Sequence, residues 1–202
     1  MKTRNWLAAG LLGLASLASQ AGIVYGTNLI VNGNAEADVA AWQAFDGYSL
    51  FQSVEYGNNW VRPDQPGPVD RGQWMFTGLG ALSAGYQIVD FTADITQPLA
   101  FKLSGWLGGW AAQGDNALLY VSFLDLFGSE IGHTEIGPIT PADRGDSTGL
   151  FYREASDWLP VGTSALMFSL SMERLGGGDN DGYADNLAFV VSAPNAVPEP
   201  QV

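Results

Sequence analysis

After residue 21 the sequence consists of short apolar runs separated by Gly, Asp, Asn and Pro. Gly, Asn and Asp adopt the backbone conformations of tight turns and Pro cannot join a central ladder, so this punctuation is typical of strands joined by turns. No segment of this part keeps the periodicity of a helix. We predict strands at residues 28–31, 48–55, 73–77, 86–91, 99–107, 117–126, 150–158, 165–172 and 186–191. So many short strands in one chain predict an all-β fold, a two-sheet antiparallel β-sandwich of the jelly-roll type.

Two of the predicted strands indicate which faces are buried. Leu166 and Phe168 alternate with Ser169 and Ser171 in one of them, so one face is expected in the core and the other in water. In residues 117–126 apolar side chains occupy both parities. That pattern favours a central strand that is covered on both faces.

The first 21 residues have the pattern of a secretory signal peptide. Lys2 and Arg4 precede an apolar stretch at residues 6–17, and a small-x-small cleavage pattern ends at Ala21. We expect cleavage after Ala21. A retained membrane anchor is the weaker interpretation, because a spanning helix needs about 20 apolar residues.

The charge and the cysteine count exclude several classes of function. Without the signal peptide the chain keeps six basic and 21 acidic residues, a net charge of about −15. Nucleic acid is therefore not expected as a partner, because phosphate neutralisation needs clustered Lys and Arg. The sequence contains no cysteine, which excludes thiol catalysis and thiolate metal sites. An acidic surface suits an exported protein and attracts divalent cations.

The two ends of the predicted domain resemble those of galactose-binding-like β-sandwiches, including carbohydrate-binding modules. The stretch NLIVNGNAE at residues 28–36 is similar to their opening strand, and DGYADNLAFV at residues 181–190 is similar to their closing strand. Residues 159–174, a Pro-Gly turn followed by a strand, resemble their penultimate strand. The resemblance implies a jelly-roll fold and carbohydrate as a ligand. Where such modules hold a structural calcium ion, it implies Glu36 and Asp185 as ligands here.

The end of the chain carries a second resemblance. Three prolines lie in the last eleven residues, and Val197-Pro198-Glu199-Pro200 resembles the start of a PEP-CTERM sorting signal of Gram-negative bacteria. This implies a protein of the cell surface or extracellular matrix, with a surface-sorting protease as a partner. We therefore divide the chain into the signal peptide, a sandwich domain at residues 22–192 and a Pro-rich tail at residues 193–202.

The acidic stretch GGGDNDGYADN raises the question of a metal site. Asp185 shares strand parity with Leu187 and Phe189, so it is expected to point inward, where a carboxylate needs a cation or backbone donors. Both interpretations stay open: Asp185 ligates calcium together with Glu36, or it caps a turn through N–H groups. Residues 179–181 instead have the pattern of a turn and are expected to be exposed.

Four residues are candidates for carbohydrate contact. A sugar ring stacks on a planar aromatic ring while its hydroxyl groups need hydrogen-bond partners. Trp106 and Trp110 flank a Gly-Gly pair on one strand, and Trp60 lies close to Arg62 in a loop. The alternative is that these tryptophans fill the core.

Catalysis is not expected. His133 is the one histidine of the sequence, is expected in a hairpin between two strands, and has no nucleophile motif around it. An acidic pair for glycoside hydrolysis depends on a separation that the sequence does not specify. The Asp-Arg-Gly triplets at residues 70–72 and 143–145 are expected to pin loops through surface ion pairs.

We therefore expect an exported, non-catalytic β-sandwich that binds carbohydrate or associates with extracellular polysaccharide at the bacterial surface. The alternative is a structural surface or matrix protein that self-associates without a small ligand. Large exposed apolar patches would favour the alternative.

Overall fold

Ten antiparallel strands form two five-stranded sheets in the computed structural model, which describes residues 23–57, 59–91 and 94–194. The strands are β1 Gln43–Ala44, β2 Gln52–Glu55, β3 Trp74–Gly78, β4 Leu82–Asp90, β5 Leu99–Gly109, β6 Asn116–Leu124, β7 Glu130–Ile136, β8 Gly149–Leu159, β9 Ala165–Glu173 and β10 Asn180–Val191. Sheet 1 has the order β1-β4-β9-β6-β7, and sheet 2 has the order β2-β3-β10-β5-β8. The predicted two-sheet antiparallel β-sandwich is confirmed. In the three described ranges, no helix is long and apolar enough to cross a membrane.

The core lies between the sheets and is built by alternation. Leu166 and Phe168 of β9 are fully buried, while Ser169 and Ser171 lie on the outer face, as predicted. The prediction that β6 is covered on both faces is wrong. Its core-facing residues are buried, but Leu118 and Tyr120 remain partly exposed on the outer face of sheet 1. That face is therefore partly open to solvent.

The opening stretch NLIVNG docks against β10 without forming the predicted strand at residues 28–31. The Asn28 side-chain amide donates to the Leu187 carbonyl (2.9 Å), and its oxygen accepts from the N–H groups of Ile30 (3.0 Å) and Phe189 (2.9 Å). Backbone hydrogen bonds also join the two segments, from Leu29 N–H to the Phe189 carbonyl (2.8 Å) and from Leu187 N–H to the Gly33 carbonyl (2.9 Å), around an isolated bridge between Asn28 and Val190. The asparagine side chain therefore supplements a sparse backbone ladder, which explains why a polar residue opens this apolar run.

His133 lies inside a strand that the sequence did not predict. We expected it in a hairpin between two strands, and it belongs to β7, itself a strand of the β6–β7 hairpin. The turn of this hairpin is closed by Asp125, whose carboxylate accepts from the N–H groups of Phe127 and Ser129. β7 is an edge strand with largely exposed residues. The sequence did not indicate this strand because an edge strand needs no second apolar face, so its side chains are mostly polar.

The last strand begins at Asn180, six residues earlier than predicted. Asp179 is exposed as expected, but Asn180 and Asp181 are buried, so the prediction of an exposed turn is wrong for both. The Asn180 amide donates to the Met172 carbonyl (3.0 Å), and the Asp181 N–H donates to the carboxylate of Asp115 (3.0 Å). Polar partners on β9 and directly before β6 therefore compensate the burial of these residues.

A bulge between Asp185 and Ala188 divides β10 into two halves with opposite parity. Asn186 occupies the left-handed conformation there, with φ of 47°. Leu187 faces the core between the sheets, whereas Asp185 pairs with Trp106 on the outer face of sheet 2. The parity argument for Asp185 is therefore wrong in direction, because the extra residue of a bulge reverses the alternation.

The two Asp-Arg-Gly triplets hold loops through carbonyl groups and not through the predicted ion pairs. Arg144 is buried and donates to the carbonyls of Ala111, Ser147 (3.1 Å) and Gln113 (2.6 Å). Arg71 likewise donates to three loop carbonyls. Burial lowers the pKa of the Arg144 guanidinium. Both arginines tie irregular loops to the sandwich.

Candidate functional site

The outer face of sheet 1 carries a row of polar and aromatic side chains that runs across all five strands. Directly paired positions place Gln43, Tyr86, Ser169, Tyr120 and Glu135 side by side. Neighbouring strands lie about 4.8 Å apart, so Tyr86 and Tyr120 are roughly 10 Å apart across the short Ser169. The short Ser169 therefore forms a shallow depression between Tyr120, which is partly exposed, and Tyr86, which is only 5% exposed.

Two aromatic pairs form the walls of this depression. Phe45 meets Tyr86 at a ring-centroid distance of 4.7 Å, and Tyr120 stacks on His133 at 5.0 Å with the rings inclined by 22°. The small polar residues Ser169 and Ser171 of β9 lie between them. We call this surface the trough, with Phe45, Tyr120 and His133 as its solvent-accessible walls and Ser169 and Ser171 as its floor. Tyr86 is buried against Phe45 and supports that wall from behind.

Glu130 fixes the wall formed by Tyr120 and His133. Its carboxylate accepts from the Tyr120 hydroxyl (2.9 Å) and the Ser122 hydroxyl (2.6 Å), and it lies 3.1 Å from Nδ1 of His133. Burial and the adjacent Glu130 carboxylate raise the pKa of Tyr120, so its hydroxyl stays protonated. The aromatic surface is therefore held in place before any ligand binds.

The trough was not among the sites predicted from the sequence. The predicted contacts were mainly tryptophans, whereas the walls consist of Phe, Tyr and His from three separate segments. The alternation of Ser169 and Ser171 with buried residues did predict a wet face. What was missing is the pairing that brings Tyr86 and Tyr120 to either side of that face, and pairing depends on the topology of the whole sheet.

The predicted tryptophans lie on the opposite side of the molecule. Trp60, Trp106 and Trp110 pack around a second apolar cluster on the outer face of sheet 2, where Tyr183 is fully buried. Trp60 meets Tyr183 edge-on at 6.3 Å. Arg62 is exposed and pairs with Asp64 at 3.1 Å. Trp60 and Trp110 thus serve packing, and the ligand-binding role of the four residues stays a prediction.

Asp185 is a fully buried carboxylate at the edge of this second cluster. It accepts from the Tyr56 hydroxyl (2.5 Å) and from the N–H of Asn186 (2.7 Å). Burial raises its pKa to about 7, and the negative charges of Glu36 and Asp70 add to the rise against the two hydrogen bonds. The backbone bond is the turn cap that was one of the two interpretations, and the nearby carboxylates keep the other interpretation open.

Glu36 reaches the same corner from the opening segment. Its carboxylate accepts from the N–H groups of Gln73 (2.8 Å) and Trp74 (2.9 Å), where β3 begins. A Cβ at Gly72 would lie 2.1 Å from this carboxylate, so a larger residue would displace Glu36 from the two N–H groups. Across the described ranges, no group of three or more acidic or histidine side chains has the arrangement of a metal site. Glu36 and Asp185 would thus need carbonyl groups or water to complete a calcium shell.

Comparison with solved structures identifies the fold. The enzymatically active domain of tailspike protein 4 from bacteriophage CBA120 superposes with a TM-score of 0.55 at 15% identity, over 81% of this chain and 21% of that chain. A family 16 carbohydrate-binding module superposes with a TM-score of 0.50 at 22% identity, over 81% of this chain and 99% of that chain. This chain therefore spans about a fifth of the length of that tailspike domain. No protein-family model matches the sequence, and no curated protein matches it significantly.

These similarities establish a β-sandwich of the kind found in carbohydrate-binding modules. At such low identity they concern the fold alone. One of the two structures is an enzymatically active domain and the other is a binding module, so the fold does not choose between catalysis and binding. Function therefore depends on the side chains of the trough.

Proposed function

We propose that this chain is an exported, non-catalytic β-sandwich that binds carbohydrate in the trough. The observation that carries the proposal is the pair of aromatic walls on either side of a serine floor, with Tyr120 and His133 stacked at 5.0 Å. The fold shared with a family 16 carbohydrate-binding module supports the same class of ligand.

The chemistry of the trough matches a sugar chain. Aromatic faces attract the C–H faces of pyranose rings, and hydroxyl, amide and carboxylate groups bind the ring hydroxyls. The floor supplies Ser169 and Ser171, and the rims supply Gln43 and Glu135. The ring of His133 is already held by Tyr120 and Glu130, which supports a binding role rather than a catalytic one.

The charge of the trough favours a neutral glycan. Glu130 and Glu135 lie along its β7 side, and the whole chain has a formal net charge of −13. Uronic acid or sulfate groups would face these carboxylates, and like charges oppose binding. We therefore expect neutral polysaccharides to bind more tightly than acidic ones.

Titration calorimetry and affinity electrophoresis with neutral and acidic polysaccharides test the proposal. We expect a neutral polysaccharide to bind, and Tyr120→Ala to weaken binding about tenfold or more, equivalent to about 1.4 kcal/mol. Tyr25→Ala is the matched control, because Tyr25 is an exposed tyrosine that belongs neither to the trough nor to the residues around Trp106. If no polysaccharide binds, or if Tyr120→Ala binds as tightly as the control, the proposal is wrong.

The cellular location is part of the proposal. The signal-peptide pattern of residues 1–21 and the Val197–Pro200 motif support export to the surface or extracellular matrix of a Gram-negative bacterium, with processing by a surface-sorting protease. Both segments lie outside the described residues. Fractionation of cells that express the native gene, followed by mass spectrometry of the chain ends, tests the location and the processing. Cytoplasmic retention with an intact N-terminus would contradict it.

We also propose a structural calcium ion at the corner where Glu36 and Asp185 lie. A bound cation would offset the repulsion that the charges of Glu36 and Asp70 exert on the buried carboxylate of Asp185. An ion that binds only the folded state raises the melting temperature by mass action. Chelation should lower the Tm of the wild type and leave Asp185→Ala unchanged. The exposed Asp179→Ala variant is the control and should respond like the wild type.

The alternative function, self-association, is supported by exposed apolar side chains at one end of the sandwich. Phe127 is 82% exposed and Leu126 63% exposed at the β6–β7 turn, and Val161 is 55% exposed in the β8–β9 turn. Light scattering over a range of protein concentrations tests this alternative. Concentration-dependent assembly that Phe127→Ser abolishes, together with no effect of polysaccharide, would favour it over carbohydrate binding.

A further inference from the structure

A cavity of about 450 Å³ lies beside Trp106, on the side of the molecule opposite the trough. Its walls come from the opening segment, the loop before β3, the β10 bulge and β5. The polar residues and the single aromatic residue that line it are Asn28, Asn32, Asn34, Asp70, Asn186 and Trp106. The volume lies within the range of about 300 to 1,000 Å³ that small-molecule sites occupy.

The aromatic wall of the cavity is held in position by its neighbours. Trp106 meets Tyr152 at 5.8 Å with the rings inclined by 60°. The Tyr152 hydroxyl donates to Glu154 (2.7 Å), and the Lys102 ammonium lies 5.9 Å from the centre of the tyrosine ring. Trp106 therefore needs little further ordering when a ligand stacks on it, which lowers the entropic cost of binding.

The bulge of β10 creates the polar wall. Asn186 is held in the left-handed conformation, and its side-chain amide donates to Asp70 Oδ1 at 3.0 Å. This bond aligns one amide with one carboxylate and leaves Oδ1 of Asn186 and Oδ2 of Asp70 as further acceptors. Two adjacent planar groups of this kind suit the neighbouring hydroxyl groups of a sugar.

The third wall is rigid because its asparagines are bound to the backbone. The Asn32 amide donates to the carbonyls of Asp38 (2.8 Å) and Ala40 (3.2 Å). Gly33 lies so close to β10 that an added Cβ would be 2.2 Å from the Leu187 carbonyl oxygen. The segment therefore cannot move inward, and it presents the exposed Asn34 at the mouth of the cavity.

We propose that this cavity is a second saccharide site, which takes one neutral sugar residue with its ring against Trp106. It shares the class of ligand with the proposed function but none of the residues of the trough. The carboxylate of Asp70, with those of Glu36 and Asp185 nearby, disfavours an anionic ligand.

The trough and the cavity lie on opposite outer faces of the sandwich. The sheets pack about 10 Å apart, so the trough and the cavity face away from each other across the thickness of the sandwich. One molecule can then bind two separate glycan chains, and multivalent contact raises the apparent affinity for the polysaccharide. The wild type should therefore cross-link a polysaccharide that carries both types of site ligand.

The test uses the whole chain and the methyl glycosides of glucose, galactose, mannose and xylose, followed by saturation-transfer NMR and calorimetry. At least one glycoside should bind the wild type and Tyr120→Ala equally. Asp70→Ala should weaken that binding tenfold or more, and Asn34→Ala should weaken it measurably without affecting the packed interior. Asp179→Ala, which removes an exposed aspartate that does not line the cavity, is the control and should bind like the wild type.

Three outcomes would overturn the proposal: no glycoside binds, or binding survives in both Asp70→Ala and Asn34→Ala, or Tyr120→Ala loses binding as strongly as Asp70→Ala. Melting curves of each variant separate loss of binding from loss of folding. Failure of the trough has a different signature, because it appears as polysaccharide binding that Tyr120→Ala does not weaken. The two proposals can therefore fail independently.

Discussion

Replacement of Asp185 by asparagine should change how the stability of the protein depends on pH. In the folded protein burial raises the pKa of Asp185 from 3.8 to about 7, so the carboxyl group binds a proton over a range in which the unfolded chain has lost it. A folded-state pKa that is raised in this way stabilises the protein below the unfolded pKa. This stabilisation is lost as the pH rises through the folded pKa.

The size of the effect follows from the pKa difference. Each pKa unit corresponds to about 1.4 kcal/mol, so a rise of about 3 units gives a change of about 4 kcal/mol between pH ~4 and pH ~8. The asparagine side chain of the variant carries no charge at any pH in this range, and the other titrating groups around the site, Glu36, Asp70, Tyr56 and Arg71, are common to both proteins. The difference between wild type and Asp185→Asn therefore isolates the one carboxyl group.

The assay is urea unfolding of both proteins at a series of pH values in the presence of a chelator. The free energy of unfolding of the wild type should fall relative to Asp185→Asn as the pH rises. Saturating calcium should reverse the trend if the ion binds the ionised carboxylate, because ion binding then favours the charged form. Parallel pH profiles in chelator would refute the reasoning, since they would mean that burial does not perturb Asp185. Asp179→Asn is the exposed control and should run parallel to the wild type.

Three further variants test the packing that supports the sites. Gly72→Ala should cost about 1 to 2 kcal/mol, because the new Cβ displaces the exposed Glu36 carboxylate from two N–H groups. Gly178→Ala has open space around it and should cost under about 0.5 kcal/mol, and equal melting temperatures of the two variants would contradict this. Arg144→Met should cost about 3 kcal/mol or more in urea unfolding, because three loop carbonyls lose their donor, and an unchanged midpoint would mean that water replaces it. Phe168→Ala should cost about 3 to 5 kcal/mol by leaving a core cavity, and a smaller loss would indicate that the sheets close over it.

The sequence predicted the class of fold because strand character is a local property. Alternation in residues 165–172 and the turns rich in Gly and Asn were sufficient to predict a sandwich, and most strand positions agree within a few residues. The elements that were missed are those whose strand character depends on neighbours. β7 is polar because it lies at an edge, and β10 extends back to Asn180 because Asp115 accepts from the buried N–H of Asp181.

The candidate sites depend on long-range pairing, which limits what the sequence can predict. Tyr120 and the pair of Phe45 with the buried Tyr86 lie on opposite sides of the trough only because β9 inserts between β4 and β6. The sequence predicted a buried Asp185, but the bulge at Asn186 places its side chain on the face opposite the one that parity predicts. An extra residue in a strand has no fixed sequence pattern here, since Asn186 lies in a stretch that is otherwise compatible with regular alternation.

The two ends of the folded domain lie side by side. The N–H of Gly26 donates to the Val191 carbonyl at 2.9 Å, next to the bridge between Asn28 and Val190. A domain with adjacent ends can be inserted into a loop of another protein, or circularly permuted, with little strain. A permutant that joins Val191 to Gly26 through a short linker and opens the chain at the exposed β6–β7 turn should therefore keep the sandwich. Both outer faces of the sandwich would then remain exposed, while the domain is attached to its host at a single position.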